Sequence, residues 1–257
     1  MKTRMPEILS FISEEAVNKK MTSEEIAKHF GYNKYHFSRK FKEINGFSVA
    51  EFLSSLKIEK AIIELDEEKR IIEIQEHSGF ESSGSFTNIF KKYTGSSPKK
   101  YQTEMNEMFY DIKSFENEDK NKSLDYFEEK NDSFCTVNID VPVGFEKGMI
   151  FIGLFHTLIP NHLPISGLAT KTLRENKLKN IPRGNFYLLI CAIDSSNNIL
   201  SYFNLEKSLR GKVDEKLSFP ESSGNSYTIK LREPIPEDPP ILVNVVKLLV
   251  SRLKNTI

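Results

Sequence analysis

Residues 33–42 carry Lys34, Arg39, Lys40 and Lys42 with no acid, and residues 89–100 carry Lys91, Lys92, Lys99 and Lys100, again with no acid. Clusters of this kind suit a polyanion, because a phosphate feels charges within a Debye length of about 8 Å and not acids on distant faces. The first cluster also holds Tyr35 and Ser38, side chains able to touch a base edge. The fork of Arg39 matches the O6 and N7 acceptors of guanine, whereas Lys34, Lys40 and Lys42 suit phosphate oxygens. Ahead of the second cluster stand Ser83, Gly84, Ser85, Thr87 and Asn88. These are short and uncharged, so they let a backbone approach a duplex closely but discriminate bases weakly. The first cluster is therefore expected to supply most sequence specificity and the second mainly to position.

Other constellations offer little chemistry. Cys135 and Cys191 lie far apart with no CxxC partner, which fits a reducing cytosol and neither a disulfide scaffold nor a zinc site. His156 and His162 flank a Pro160-Asn161 turn without nearby carboxylates, a poor metal site. Ser222-Ser223-Gly224 reads as a turn rather than a nucleophile elbow. Gly144, Gly148 and Gly153 alternate with strand-like residues and form no phosphate loop. No catalytic residue, metal or cofactor is expected, and the chain reads as no enzyme. Its 36 basic and 36 acidic residues balance, and residues 1–110 balance too at 17 of each, so charge permits a nucleic-acid partner through local placement alone.

The elements that hold the two clusters follow from punctuation. Pro6 suits a first helical turn, and Ile8, Phe11, Ile12 and Ala16 make one apolar stripe. Thr22 with Glu25 is a capping box for a second helix ended by Gly31. Asn33 caps a third helix, over residues 33–44, whose Phe37 and Phe41 face inward and leave Tyr35, Ser38, Arg39 and Lys42 outward. Gly46 closes it. Ser48 with Glu51 opens a long helix to about Asp66, and shorter helices follow over 70–77, 83–93 and beyond Ser97-Pro98. The plan repeats: Ile26, Gly31 and Tyr32 return 48 positions on as Ile74, Gly79 and Phe80, and Phe41, Lys42, Gly46 and Ser48 return 49 positions on as Phe90, Lys91, Gly95 and Ser97. Helix, glycine turn, second helix, glycine and serine cap, twice over, is two helix-turn-helix units.

Residues 111–132, with 8 acidic and 4 basic side chains, read as a solvated linker. Beyond Ser133, short β-type runs at 134–141, 149–155, 186–193 and 227–231 alternate with turns and suggest a small β-sandwich. Ile241, Val245, Leu248, Leu249 and Leu253 then space as an amphipathic terminal helix behind Pro239-Pro240. The expected fold has two domains, with an all-α part of seven helices over 1–108, an acidic linker over 109–132 and a mainly-β sandwich over 133–257. No stretch approaches the roughly 18 apolar residues of a membrane span. The opening residues also lack a signal-peptide core, which points to the cytoplasm.

Residues 26–42, with Gly79-Phe80, Phe90-Lys91-Lys92, Gly95, Ser97-Pro98 and Tyr101, resemble the DNA-binding domain of the AraC/XylS family of bacterial transcription regulators. The resemblance covers roughly residues 5–105. It implies two units entering adjacent major-groove segments, with Tyr35, Ser38 and Arg39 reading bases from the first and Ser83, Gly84, Ser85, Thr87 and Asn88 from the second. Lys34, Lys42, Lys91 and Lys92 join them as DNA contacts. Two positions depart from the family pattern. Gln75 replaces a small alanine and is expected to loosen the second unit, and Gln102 replaces an arginine and removes a phosphate contact. The implied function is an activator bound to double-stranded DNA, with RNA polymerase, a small-molecule effector and a homodimer through the C-terminal domain left open as further partners. The run Ile181-Pro182-Arg183-Gly184-Asn185-Phe186-Tyr187-Leu188-Leu189 is similar to transthyretin-like or carboxypeptidase-regulatory-like sandwiches. Two rival readings remain. One is a carbohydrate- or peptide-binding sandwich tethered to DNA, with Phe151, Phe155, Phe186, Tyr187, Tyr202 and Phe203 lining its site. The other is an architectural DNA binder without effector.

Overall fold

The computed structural model describes residues 1–66, 69–107, 122–124, 131–145, 148–161, 163–194, 202 and 204–245. Seven α-helices fill its first part: α1 (Met5–Phe11), α2 (Ser23–His29), α3 (Lys34–Asn45), α4 (Val49–Asp66), α5 (Ile71–His77), α6 (Ser83–Thr94) and α7 (Pro98–Glu107). A 3-10 turn leads into α1 and a π turn prolongs it through Ala16, so that Ile8, Ile12 and Ala16 are buried as one stripe. Phe11 is only half-buried and stacks on His29 instead, with ring centroids 4.2 Å apart. The caps sit where sequence chemistry puts them. Thr22 and Glu25 close a reciprocal box, with Thr22 N–H donating to Glu25 Oε2 at 2.7 Å, and Ser48 and Glu51 do the same at 2.7 Å. At 18 residues, α4 is about 27 Å long. It is the common spine: Phe52 belongs to the aromatic chain Phe37, Phe41, Phe47 of the first unit, and Phe80, Phe86, Phe90 and Tyr101 make the matching chain of the second.

The second part is mainly β: β1 (Lys122–Leu124), β2 (Cys135–Asp140), β3 (Gly148–Phe155), β4 (Gly167–Thr170), β5 (Asn176–Leu178), β6 (Gly184–Asp194), β7 (Leu209–Lys212), β8 (Leu217–Phe219) and β9 (Ser226–Lys230). A six-stranded sheet runs β1-β4-β3-β6-β7 with β8 also on β6, and a three-stranded sheet runs β5-β2-β9. β1 lies within the segment expected to be linker and pairs antiparallel with β4. The two sheets share a core, where Ile150, Ile152, Leu188 and Ile190 meet Val137, Ile139 and Ile229. Alternate residues of the same strands, Met149, Phe151, Cys191 and Ile193, belong to the core of the helical part. The larger sheet is thus covered on both faces, which explains why β3 and the second half of β6 read as continuous apolar runs rather than alternating ones. Of the expected terminal helix, residues 241–244 are not helical, and Leu242 N–H donates to Pro160 O at 3.0 Å. Leu248, Leu249 and Leu253 lie outside the described residues.

Helical and β parts meet along α1, α4 and the end of α3. Ser13 Oγ donates to Pro236 O at 2.7 Å. Glu59 of α4 lies within electrostatic reach of Arg210 of β7, and its Oε1 and the Arg210 Nε are both sealed from solvent without a hydrogen-bond partner. Burial pushes the Glu59 carboxyl up to about 7, with Arg210 opposing the shift and Glu206 adding to it.

Candidate nucleic-acid interface

Both helix-turn-helix units are built by the same local devices. Gly31 and Gly79 adopt φ of +74° in the turns, and Gly46 and Gly95 end α3 and α6 at +75° and +80°, a left-handed conformation that costs a side-chain-bearing residue strain. Asn33 Oδ1 accepts from Tyr35 N–H at 3.0 Å to start α3, and Ser82 Oγ accepts from Ser85 N–H at 3.2 Å to start α6. The sequence repeat is therefore a repeat of backbone geometry.

On α3, Phe37 and Phe41 are fully buried and fix which face is free. Tyr35 is 80% exposed, an unusual place for a large aromatic ring. Lys34, Arg39 and Lys42 are also exposed, and Ser38 is half-buried among them. The cations differ in availability. Lys34 is 3.0 Å from Glu24, which raises its pKa, and Lys40 is 2.8 Å from Glu43. Arg39 and Lys42 form no salt bridge among the described residues. The Lys34 pairing was invisible in sequence because Glu24 lies ten positions away on the preceding helix.

On α6, Phe86 and Phe90 turn inward. Ser83, Gly84, Ser85 and Asn88 are exposed, Thr87 is half-buried, and Lys91 and Lys92 are exposed one turn on, with Lys92 Nζ 5.7 Å from the Tyr93 ring centroid. A side chain added at Gly84 would meet no atom within 4 Å. Nothing inside the fold requires glycine there. Ser83 is tied inward, its Oγ donating to Gln75 Oε1 at 2.5 Å.

Gln75 itself overturns an expectation. It is 8% exposed, and its amide also donates to Phe80 O at 3.2 Å. Instead of loosening the second unit, it joins α5, the turn and the first residue of α6. Gln102 also has a structural role, donating to Leu65 O at 3.3 Å and satisfying a carbonyl left open at the end of α4. Two positioning residues were not foreseen. Lys57 of α4 donates to Gly79 O at 3.1 Å and lies 5.5 Å over the Phe80 ring. Tyr93 Oη donates to Glu51 O at 3.1 Å. A lysine on a helix gives no sequence signal that it caps a distant turn.

Among the described residues no group of His, Cys, Asp and Glu could hold a metal ion, and no helix is long and apolar enough to cross a membrane. His162, half of the weak metal pair considered from sequence, lies outside the described residues.

Paired, exposed second helices on one α-helical frame define a double helix-turn-helix reader of DNA. Residues 26–104 match the family model described as a helix-turn-helix domain. The chain is 35% identical over 97 residues to the HTH-type transcriptional activator AarP of Providencia stuartii, covering 37% of this chain and 71% of that protein. It is 32% identical over 96 residues to the multiple antibiotic resistance protein MarA of Salmonella typhimurium, covering 37% and 75%. An uncharacterized HTH-type regulator of Staphylococcus aureus is 30% identical over 113 residues, but there the match spans only 15% of the longer protein. Among solved structures, the C-terminal domain of AraT, a response regulator from Geobacillus stearothermophilus, is 28% identical, with a TM-score of 0.36, over 38% of this chain and 83% of that one. The chain belongs to the AraC/XylS family of DNA-binding transcription regulators.

Proposed function

We propose that the chain is a sequence-specific activator of transcription that reads two adjacent major-groove segments with α3 and α6. The observation that carries this reading is the pair of exposed helix faces set by matching glycine turns and caps. In the first unit Arg39, Tyr35 and Ser38 contact bases and Lys42 a phosphate. Lys34 must release Glu24 before it serves. In the second, Gly84, Ser85, Thr87 and Asn88 lie against the groove and Lys91 and Lys92 meet phosphates, while Ser83 acts through its backbone and Gln75. This unequal division supports a strong and a weak half-site. A monomer with two reading helices suffices for an asymmetric site, so a palindrome is not required.

Residues 1–108 are the reader and 133–257 the regulatory part, joined through 109–132, whose strand β1 adds an edge to the larger sheet, and the protein works in the cytoplasm as a regulator rather than an enzyme. The named aromatics form no exposed carbohydrate- or peptide-binding groove among the described residues, and Phe151 and Phe155 line the space between the sheet and the helical part instead. Phe151, Phe186 and Tyr202 are buried, Phe155 and Tyr187 half-buried, and Phe203 lies outside the described residues. RNA polymerase and a homodimer partner remain compatible with this reading. Selection of duplexes from a randomised pool by the full chain at fixed physiological salt tests it. Two unequal sequence blocks about 10 bp apart are expected, whereas enrichment without any consensus would leave only an architectural binder.

A further inference from the structure

Between the helical part and the six-stranded sheet lies a cavity of about 730 Å³. Protein interiors hold few voids much larger than a water molecule, and small-molecule sites run from about 300 to 1,000 Å³. The floor is the outward face of the sheet at Phe151 and Leu189. The helical part supplies Leu9, Ile44 and Phe47 opposite, and Ile241 closes one side. This lining is apolar and comes from both parts of the chain. The lining also carries charged side chains, most of them compensated in place, with Lys230 the exception. Asp238 is gripped by both terminal nitrogens of Arg232 at 2.7 Å, and Asp214 is 3.3 Å from Lys212. Lys230 is exposed and has no ion pair among the described residues, whereas Arg210 donates to the backbone carbonyls of Pro239, Leu205 and Glu206 and lies within electrostatic reach of Glu59 and Asp238. Glu237 is the one remaining acid of the lining.

We propose that this cavity binds a small amphipathic effector, an apolar body carrying one anionic group that Lys230 recognises. The proposal rests on reading the C-terminal part as the regulatory half, and it places the ligand between the domains rather than inside the sandwich. That position gives the ligand a physical route to DNA. Ile44 and Asn45 are the end of the reading helix α3, and a Cβ on the following Gly46 would come within 3.3 Å of both Leu158 and Tyr187 of the sheet side. An occupant therefore touches the helix that reads the first half-site. Its affinity and that of DNA must change each other by the same factor.

The test uses 8-anilinonaphthalene-1-sulfonate, an apolar anion, and its neutral counterpart N-phenyl-1-naphthylamine, each titrated by fluorescence into the folded full chain without DNA. Both are expected to saturate at one site per chain. Lys230→Gln, at an exposed position that the fold does not need, is expected to weaken the anion by about three- to fivefold, the range of an exposed ion pair, and to leave the neutral probe unchanged. Leu189→Trp, which fills the floor, is expected to weaken both by more than about tenfold, with an unchanged urea midpoint showing that the fold is kept. Absence of saturable binding, or binding indifferent to both substitutions, overturns the site, and indifference to Lys230→Gln alone overturns the anionic ligand. Because no DNA is present, a failed duplex selection with intact probe binding removes the regulator reading and leaves the site, and the converse result does the reverse.

Discussion

Arg39 and Gly84 show how far single residues could be read. Arg39 was legible because Phe37 and Phe41, two positions to either side of it, fix the inner face of α3. What the sequence hid was competition: Lys34 and Lys40 are engaged by Glu24 and Glu43, so the number of available cations is smaller than the number present. Gly84 separates folding from recognition. A helical glycine costs about 1 kcal/mol relative to alanine, and no neighbour occupies the space. Gly84→Ala should therefore stabilise the protein by about 0.5–1 kcal/mol in urea unfolding, and, on the proposed docking in which the α6 backbone meets the groove at Gly84, it should weaken DNA binding. A variant that is both more stable and an equally good binder would take Gly84 out of the interface.

At the scale of elements, caps and glycine turns were readable because their chemistry is local. Gln75, Lys57 and Tyr93 were not, because their partners Ser83, Gly79 and Glu51 lie on other elements. Gln75→Ala should cost about 1–2 kcal/mol, since it leaves the Phe80 carbonyl and the Ser83 hydroxyl without their partner. Unchanged stability would mean that water replaces the amide at no cost. On α4, Glu59 makes stability depend on pH. Its carboxyl titrates near 7 in the folded chain against an ordinary 4.5, so folding favours the protonated form. That stability is complete below about pH 4.5 and is lost as pH rises through 7, by up to about 3 kcal/mol, and less because the rest of the side chain is only half-buried. Glu59→Gln should accordingly stabilise the protein at pH 8 and change little at pH 5. Urea midpoints at the two pH values decide it, and an equal effect at both would exclude Glu59 as the titrating group.

The whole molecule was the least legible level. The sequence suggested a reader, a linker and a separate sandwich, yet Phe151, Cys191 and Ile193 of the sheet share a core with Leu9, Phe47 and the helices. Strands covered on both faces lose the period-two alternation, so the interface left no mark distinct from an ordinary sandwich core. A fragment of residues 1–110 should consequently melt at least about 4 °C below the full chain by circular dichroism, the shift expected from roughly 1 kcal/mol in a domain of that size. Equal melting would make the two parts energetically independent.

The central claim, unequal reading by two helices, is tested most directly by measuring the affinity of the full chain for every single-base-pair variant of one selected duplex, with and without Arg39→Ala. The account predicts that Arg39→Ala costs about 1–3 kcal/mol and flattens base preference at one or two positions of the stronger block, leaving the weaker block's profile intact. A uniform loss across all variants, or a change confined to the weaker block, would contradict it.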